Sequence, residues 1–215
     1  MMPISVGRGL RPRRNHKQTK ISFEHDCGGL GVSALPYIMH ATLADVIADT
    51  AQNSIEAGAS RIELSLVEDG TTISVRIKDN GKGMDAATQD RAFDPFYTEP
   101  GKHDKRKVGL GLPILKQLCE STDGAVSLVS APGQGTVLDY SFAAKHIDLP
   151  PMGDLVEMVL MLFNYPGNFD LVFTHKKGET DYSISRSELA DAVGGFETPE
   201  GLSLAREFLT SQENG

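Results

Sequence analysis

The sequence has no tryptophan, only two cysteines and no apolar run of membrane-spanning length. Its richest apolar stretch, residues 155–163, includes Glu157 and falls far short of the roughly 20 residues that a bilayer crossing needs, so no membrane span is expected. Cys27 and Cys119 stand far apart and in no metal-type spacing, which excludes a disulfide framework and points to a reducing compartment. Positive charge is scarce too. The 21 Lys and Arg face 29 Asp and Glu, a net charge of -8, and such a balance argues against nucleic acid or an anionic membrane as partner. The scarcity is uneven: residues 1–20 hold six cations and no acid, leaving 15 cations against 29 acids in the remainder. This basic start lacks the apolar stretch of a secretory signal, so the expectation is a cytoplasmic protein with a disordered basic lead over residues 1–20. What is present is ordinary: 215 residues, 40% hydrophobic and 23% charged, enough for one medium domain with a small addition.

Hydrophobic spacing sets out the elements. From Pro36 to Ala57, Leu43, Val46, Ile47, Thr50, Ala51, Ser54 and Ile55 share one helical face, and Asp45, Asp49, Gln52, Asn53 and Glu56 share the other. Alternation predicts strands over 61–67 and 71–78, joined through Glu68, Asp69 and Gly70, and over 125–130 and 136–143. A helix is expected from Leu110 to Ser121. The paired prolines of 146–154 read as a linker. Beyond it a helix (154–164), a hairpin (169–175 and 181–185) and two short helices (186–193 and 199–210) are expected.

Four patterns in a fixed order supply what a nucleotide site requires. Asp49 and Asn53, one turn apart on the polar stripe, bring a carboxylate and an amide oxygen within reach of one metal ion; by itself that spacing is also the solvated face of an amphipathic helix. Asp79-Asn80-Gly81-Lys82-Gly83-Met84 follows a strand and offers a carboxylate to an exocyclic amine, although Asp-Asn-Gly alone is a common turn. Gly109-Leu110-Gly111-Leu112 opens a helix whose amides suit phosphate, preceded by Lys102, Lys105, Arg106 and Lys107, which alone would read as a solvated loop. Gly133-Gln134-Gly135-Thr136 starts a strand, and its hydroxyl can share a base with Asp79 through a water.

In this order the patterns resemble the Bergerat-fold ATP-binding superfamily of DNA gyrase, the heat-shock chaperones, histidine kinases and mismatch-repair MutL, over about residues 36–143. The resemblance implies an α+β fold, a two-layer α/β sandwich in which helices back a mixed sheet. It implies ATP with Mg²⁺ as ligand, Asn53 and Asp49 at the metal, and Asp79 on adenine with Gly81, Gly83, Met84 and Thr136 around it. Phe93 and Phe96 would pack the base of a lid carrying Lys102 and Lys107, and Gly109, Leu110, Gly111 and Leu112 would meet the phosphates. The segment 53–59 resembles the mismatch-repair branch, whereas 93–98 and 109–116 resemble the histidine kinases. The ATPases carry a water-activating glutamate where this chain has Asp49, whose shorter reach weakens general-base hydrolysis. Glu56 stands where many kinases have a basic residue for phosphate. From Ile21 onward the chain also resembles a group of small freestanding ATP-binding proteins of this superfamily from anaerobic bacteria, which share the patterns at 49–54 and 146–154.

The resulting expectation is an ATP-binding domain over 21–146 and a small α+β appendage over 147–215. No histidine sits in a phospho-accepting hairpin, and the tail holds four cations against 12 acids, so a catalytic-lysine domain is not expected. The function implied is transfer of the γ-phosphate to a separate protein partner. A switch that hydrolyses ATP, or a nucleotide sensor, is the alternative. A homodimer is compatible with the sequence. Tyr182, Ser183, Ser185 and Ser187 offer hydroxyls for modification, but are read as surface hydroxyls of a hairpin.

Overall fold

Alternation of apolar and polar residues makes the strands, and the computed structural model, which describes residues 42–94 and 111–214, joins six of them in one sheet. They are β1 (Arg61–Glu68), β2 (Thr72–Asp79), β3 (Ala125–Ala131), β4 (Gly135–Ala143), β5 (Asp170–Lys177) and β6 (Thr180–Ser185). The order is β3-β4-β2-β1-β5-β6, parallel only between β1 and β5. The helices are α1 (Leu43–Glu56), α2 (Ala86–Arg91), α3 (Gly111–Ser121), α4 (Leu155–Phe163), α5 (Arg186–Val193) and α6 (Pro199–Glu213). This mixed sheet backed by helices is the α+β architecture expected. The basic lead expected over 1–20 and the lid expected to carry Lys102 and Lys107 lie outside the described residues.

One face of the sheet is core. Ile62, Leu64 and Leu66 of β1, Ile73, Val75 and Ile77 of β2, Leu138, Tyr140 and Phe142 of β4, and Leu171 and Phe173 of β5 are all buried against the helices. The opposite face carries Arg76–Asp139 at 3.2 Å and Lys78–Glu63 at 3.7 Å, half-exposed pairs that contribute little stability. Two polar residues continue the apolar stripes: Asp79 after Ile77, and His175 after Phe173, both buried. Placing an ionisable group on a core face is costly unless it is bonded, and both are.

The segment after the linker extends the same sheet. β5 runs along β1 from Arg61↔Asp170 to Glu68↔Lys177, and α4 packs on both α1 and α6, which accounts for its nearly all-round apolar sequence. Arg186 fastens the chain after α4, donating to the carbonyls of Phe163 (2.6 Å) and Phe169 (3.0 Å). Tyr182 and Ser185, read above as surface hydroxyls, are structural: Tyr182 donates to Glu213, and Ser185 is the buried N-cap of α5, in a capping box with Glu188. Helix α2 was not foreseen; it buries no residue and so leaves no apolar periodicity.

The linker pattern at 146–154 has a precise task. The first amides of a helix have no partner within it. In α1 Leu43 donates to Pro151 (2.9 Å) and Ala44 to Met152 (2.8 Å), and Thr42 and Asp45 close a capping box over the next turn. Asp154 then caps α4. Gly153 makes the close approach possible: its φ is +83°, and a Cβ there would lie 2.5 Å from Thr42 Oγ1 and 2.6 Å from its Cβ. Gly153→Ala is expected to cost about 1–3 kcal/mol, measured by urea unfolding; unchanged stability would remove this role from the linker. Among the described residues, no helix is long and apolar enough to cross a membrane.

Candidate functional site

Helix α1, the end of β2 and the start of β4 converge on a cleft. Its lining includes Thr50, Asn53 and Ser54 of α1, Ile77 and Asp79 of β2, Met84 of the following loop, and Leu112 of α3. Leu128, Leu138 and Thr136 complete the wall formed by β3 and β4. The cleft is thus apolar with a few convergent polar groups, the general form of a small-molecule site.

Asp79 is the buried carboxylate of the lining, 7% exposed. Oδ1 accepts from the amides of Gly81 (2.8 Å) and Thr136 (3.2 Å), and Oδ2 accepts from Ser54 Oγ (2.7 Å). An ionised carboxylate has about four acceptor positions, so Oδ2 retains one for a ligand. Asn80, next in the motif, is structural. Its Oδ1 accepts from Ser60 and Arg61 amides, both at 2.9 Å, and its Nδ2 donates to Ser60 Oγ, which ties the end of β2 to the start of β1. Thr50 of the lining, also buried, pairs with buried Tyr140 at 3.0 Å; burial pushes the Tyr140 phenol above its ordinary range.

The glycines of the loop serve the protein's own packing. A Cβ on Gly81 would come to 3.0 Å from Ala57. On Gly83, at φ +65°, it would overlap the Ala131 carbonyl, and on Gly135, at φ +78°, the Asp79 carbonyl. Gly133 donates to Lys82 O at 2.7 Å and Lys82 donates to Ala57 O at 3.1 Å. The loop is thereby pinned between α1 and the β3–β4 turn, which fixes where Asp79 points.

Asp49, half-buried on α1, lies at the first residue of α3: a Cβ on Gly111 would overlap its Oδ2 and sit 4.0 Å from Asn53 Nδ2. Gly111 therefore lets the N-terminus of α3 approach the polar stripe of α1. Among the described residues no group of three or more His, Cys, Asp or Glu could hold a metal ion. One carboxylate with an amide oxygen fits Mg²⁺ all the same, because this ion keeps several waters and takes phosphate oxygens for the rest. Glu56 turns elsewhere, accepting from the Tyr165 hydroxyl at 3.5 Å.

Of the residues singled out from sequence, Asn53, Asp79, Gly83, Met84, Leu112 and Thr136 line this one cleft, with Gly81, Asp49 and Gly111 at its edges. Phe96, Lys102, Lys107, Gly109 and Leu110 lie outside the described residues. Sequence reasoning passed over Thr50 and Ser54 as cleft residues, although their place on the buried stripe of α1, beside Asn53, was the available signal. Ser130 was passed over entirely, since an alternating strand marks it only as a polar position.

Comparison with known proteins agrees with this geometry. Residues 40–146 match the family described as "Histidine kinase-, DNA gyrase B-, and HSP90-like ATPase", and this part of the chain is a domain of that family. The sensor histidine kinase YxdK of Bacillus subtilis is 35% identical over 91 residues, 41% of this chain and 28% of the kinase. The sensor histidine kinase RcsC of Escherichia coli is 36% identical over 98 residues, 44% of this chain and 10% of that protein. The chain thus spans less than a third of either relative. In fold alone it resembles the N-terminal domain of a DNA repair protein, with a TM-score of 0.50 at 15% identity, covering 76% of this chain and 59% of that one.

Proposed function

We propose that the cleft binds an adenine nucleotide with Mg²⁺ and that the chain transfers the γ-phosphate to a separate protein partner. The observation that carries the binding reading is Asp79: a buried carboxylate, held by three donors from three segments and retaining one acceptor position in a largely apolar cleft. Such a group takes a base amine. Asn53 and Asp49 would hold the metal ion, which when bound supplies charge neutralisation for the phosphates. The N-terminal turn of α3 would face those phosphates with the amides of Gly111 and Leu112 and its positive dipole end. Phosphoryl transfer then depends mainly on positioning and electrostatics, and the partner would supply the acceptor.

The place of Asp49 favours a second reading. A carboxylate beside the first turn of α3 is where a water attacking a bound phosphate would be oriented, which would make the chain an ATP-hydrolysing switch. Incubation with labelled ATP and Mg²⁺ separates the two. Slow or no phosphate release by the chain alone, with label passing to a partner captured on the ATP-loaded protein, is the result expected of the transferase. Steady release abolished in Asp49→Asn, with ADP binding retained, would establish the switch instead.

A further inference from the structure

Among the described residues, the hydroxyl protons of Thr50, Ser54 and Thr136, which line the cleft, are drawn away from it. Thr50 Oγ1 donates to the Val46 or Ile47 carbonyl, each at 2.9 Å, and Ser54 donates to Asp79. Thr136 Oγ1 lies 3.0 Å from Ser130 Oγ, and either oxygen has a proton to give. The surroundings of Ser130 decide which does. Ser130 Oγ is 2.8 Å from the Gly135 carbonyl oxygen, which has no hydrogen, so the single serine proton must lie between them or two oxygens would face each other bare. Ser130 Oγ also accepts from the Met84 amide at 2.9 Å. The proton in the Ser130–Thr136 bond therefore comes from Thr136, and its lone pairs are what reach the cleft.

We propose that Ser130 is a positioning residue for base recognition: by accepting the Thr136 proton, it leaves Asp79 and Thr136 facing the cleft as acceptors. This rests on the nucleotide reading above. A base that brings an amine to this pair satisfies Asp79 directly, and a water can donate to Thr136 while also donating to an unprotonated ring nitrogen. A 6-oxopurine instead brings an oxygen up to a carboxylate and a hydroxyl with no proton to offer, an unpaired buried contact of the kind that sites reject strongly. Ser130 is itself held in register, its amide donating to Gln89 Oε1 of α2 at 2.7 Å, so its oxygen is fixed from both sides.

The test is calorimetric binding of ADP and IDP, two diphosphates that differ at purine position 6, to the native chain and to Ser130→Ala. Removing Ser130 frees the Thr136 proton to turn into the cleft. ADP affinity should fall roughly five- to tenfold and the ADP/IDP preference should drop by at least as much, whereas Ser130→Thr, which keeps the oxygen, should retain the native ratio. A purely structural role for Ser130 would weaken both ligands equally, and an unchanged ratio in Ser130→Ala overturns the proposal. If Ser130→Ala does not fold, Ser130→Cys, whose sulfur is a poor acceptor, carries the same comparison. Failure of the native chain to bind either diphosphate overturns the nucleotide reading and this inference with it; native ADP binding with an unmoved ratio overturns this inference alone.

Discussion

Asp79→Asn is expected to weaken adenine-nucleotide binding by about 100-fold or more while leaving the fold standing. The asparagine oxygen can still accept from Gly81 and Thr136 amides. The Ser54 hydroxyl can reverse and accept from the new amide in place of donating to Oδ2. The cleft, however, then presents a donor where it had its one vacant acceptor position. A site built around one hydrogen bond rejects a ligand that leaves buried polar groups unmatched by this order of magnitude. Thermal unfolding with ligand present reads the difference. At ADP concentrations 100 times the native dissociation constant, the native chain gains about 2.7 kcal/mol, and a 100-fold weaker variant gains only about 0.4 kcal/mol by the same relation. An equal ligand-induced rise in Tm for both proteins would remove Asp79 from the site.

The second large effect lies at the opposite end of β1. His175 is 1% exposed, with Nδ1 3.0 Å from Glu213 Oε1 and Nε2 3.1 Å from Glu68 Oε1. Neutral imidazole has one proton, so carboxylate oxygens at both nitrogens call for the doubly protonated ring. Lys177 lies 3.2 Å from Glu68 Oε2, and Tyr182 donates to Glu213. Burial alone would push the His175 pKa down, but the hydrogen bond and charge of Glu213, then of Glu68, raise it above its ordinary 6.5. Burial likewise pushes Glu213 up, yet His175 and Tyr182 hold it below its ordinary 4.5.

The two shifts fix the pH dependence. A raised histidine gives stability that is complete below about pH 6.5 and is lost as pH rises through its folded value. A lowered glutamate gives stability that is present above about pH 4.5 and is lost as pH falls through its own. The network therefore stabilises most between about pH 4.5 and 6.5 and weakens on the alkaline side. His175→Ala leaves two carboxylates facing each other with little water and is expected to cost about 3–5 kcal/mol. His175→Gln should flatten the fall of stability above pH 6.5. Denaturant unfolding across pH 5 to 9 measures both, and an identical slope in His175→Gln would contradict the assignment.

These two centres differ in how far the sequence foretold them. Asp79 belongs to a contiguous motif, its neighbour Thr136 to another already aligned by order, and Ser54 directly follows Asn53 of a third, so local chemistry carried most of the site. The partners of His175 are 38 and 107 residues away, and nothing local links them. The stripe Leu171, Phe173, His175 was the available sign, because period-two alternation puts the imidazole on the core face. The strands and the longer helices were legible from hydrophobic spacing alone. The parallel pairing of β5 with β1 was not, since alternation reports which face a residue takes and is silent on which strand lies beside it. The linker was read from its prolines as a spacer, and its caps on α1 emerge only when the carbonyls of Pro151 and Met152 meet the amides of Leu43 and Ala44.

Everything proposed for the cleft depends on its taking an adenine nucleotide at Asp79, and calorimetric titration of ADP into the native chain and into Asp79→Asn, side by side, tests this most directly. Saturable binding at one site in the native chain, weakened about 100-fold or more in the variant, is the expected pair of results. No heat from the native chain up to millimolar ADP, or binding of equal strength in both proteins, would contradict it.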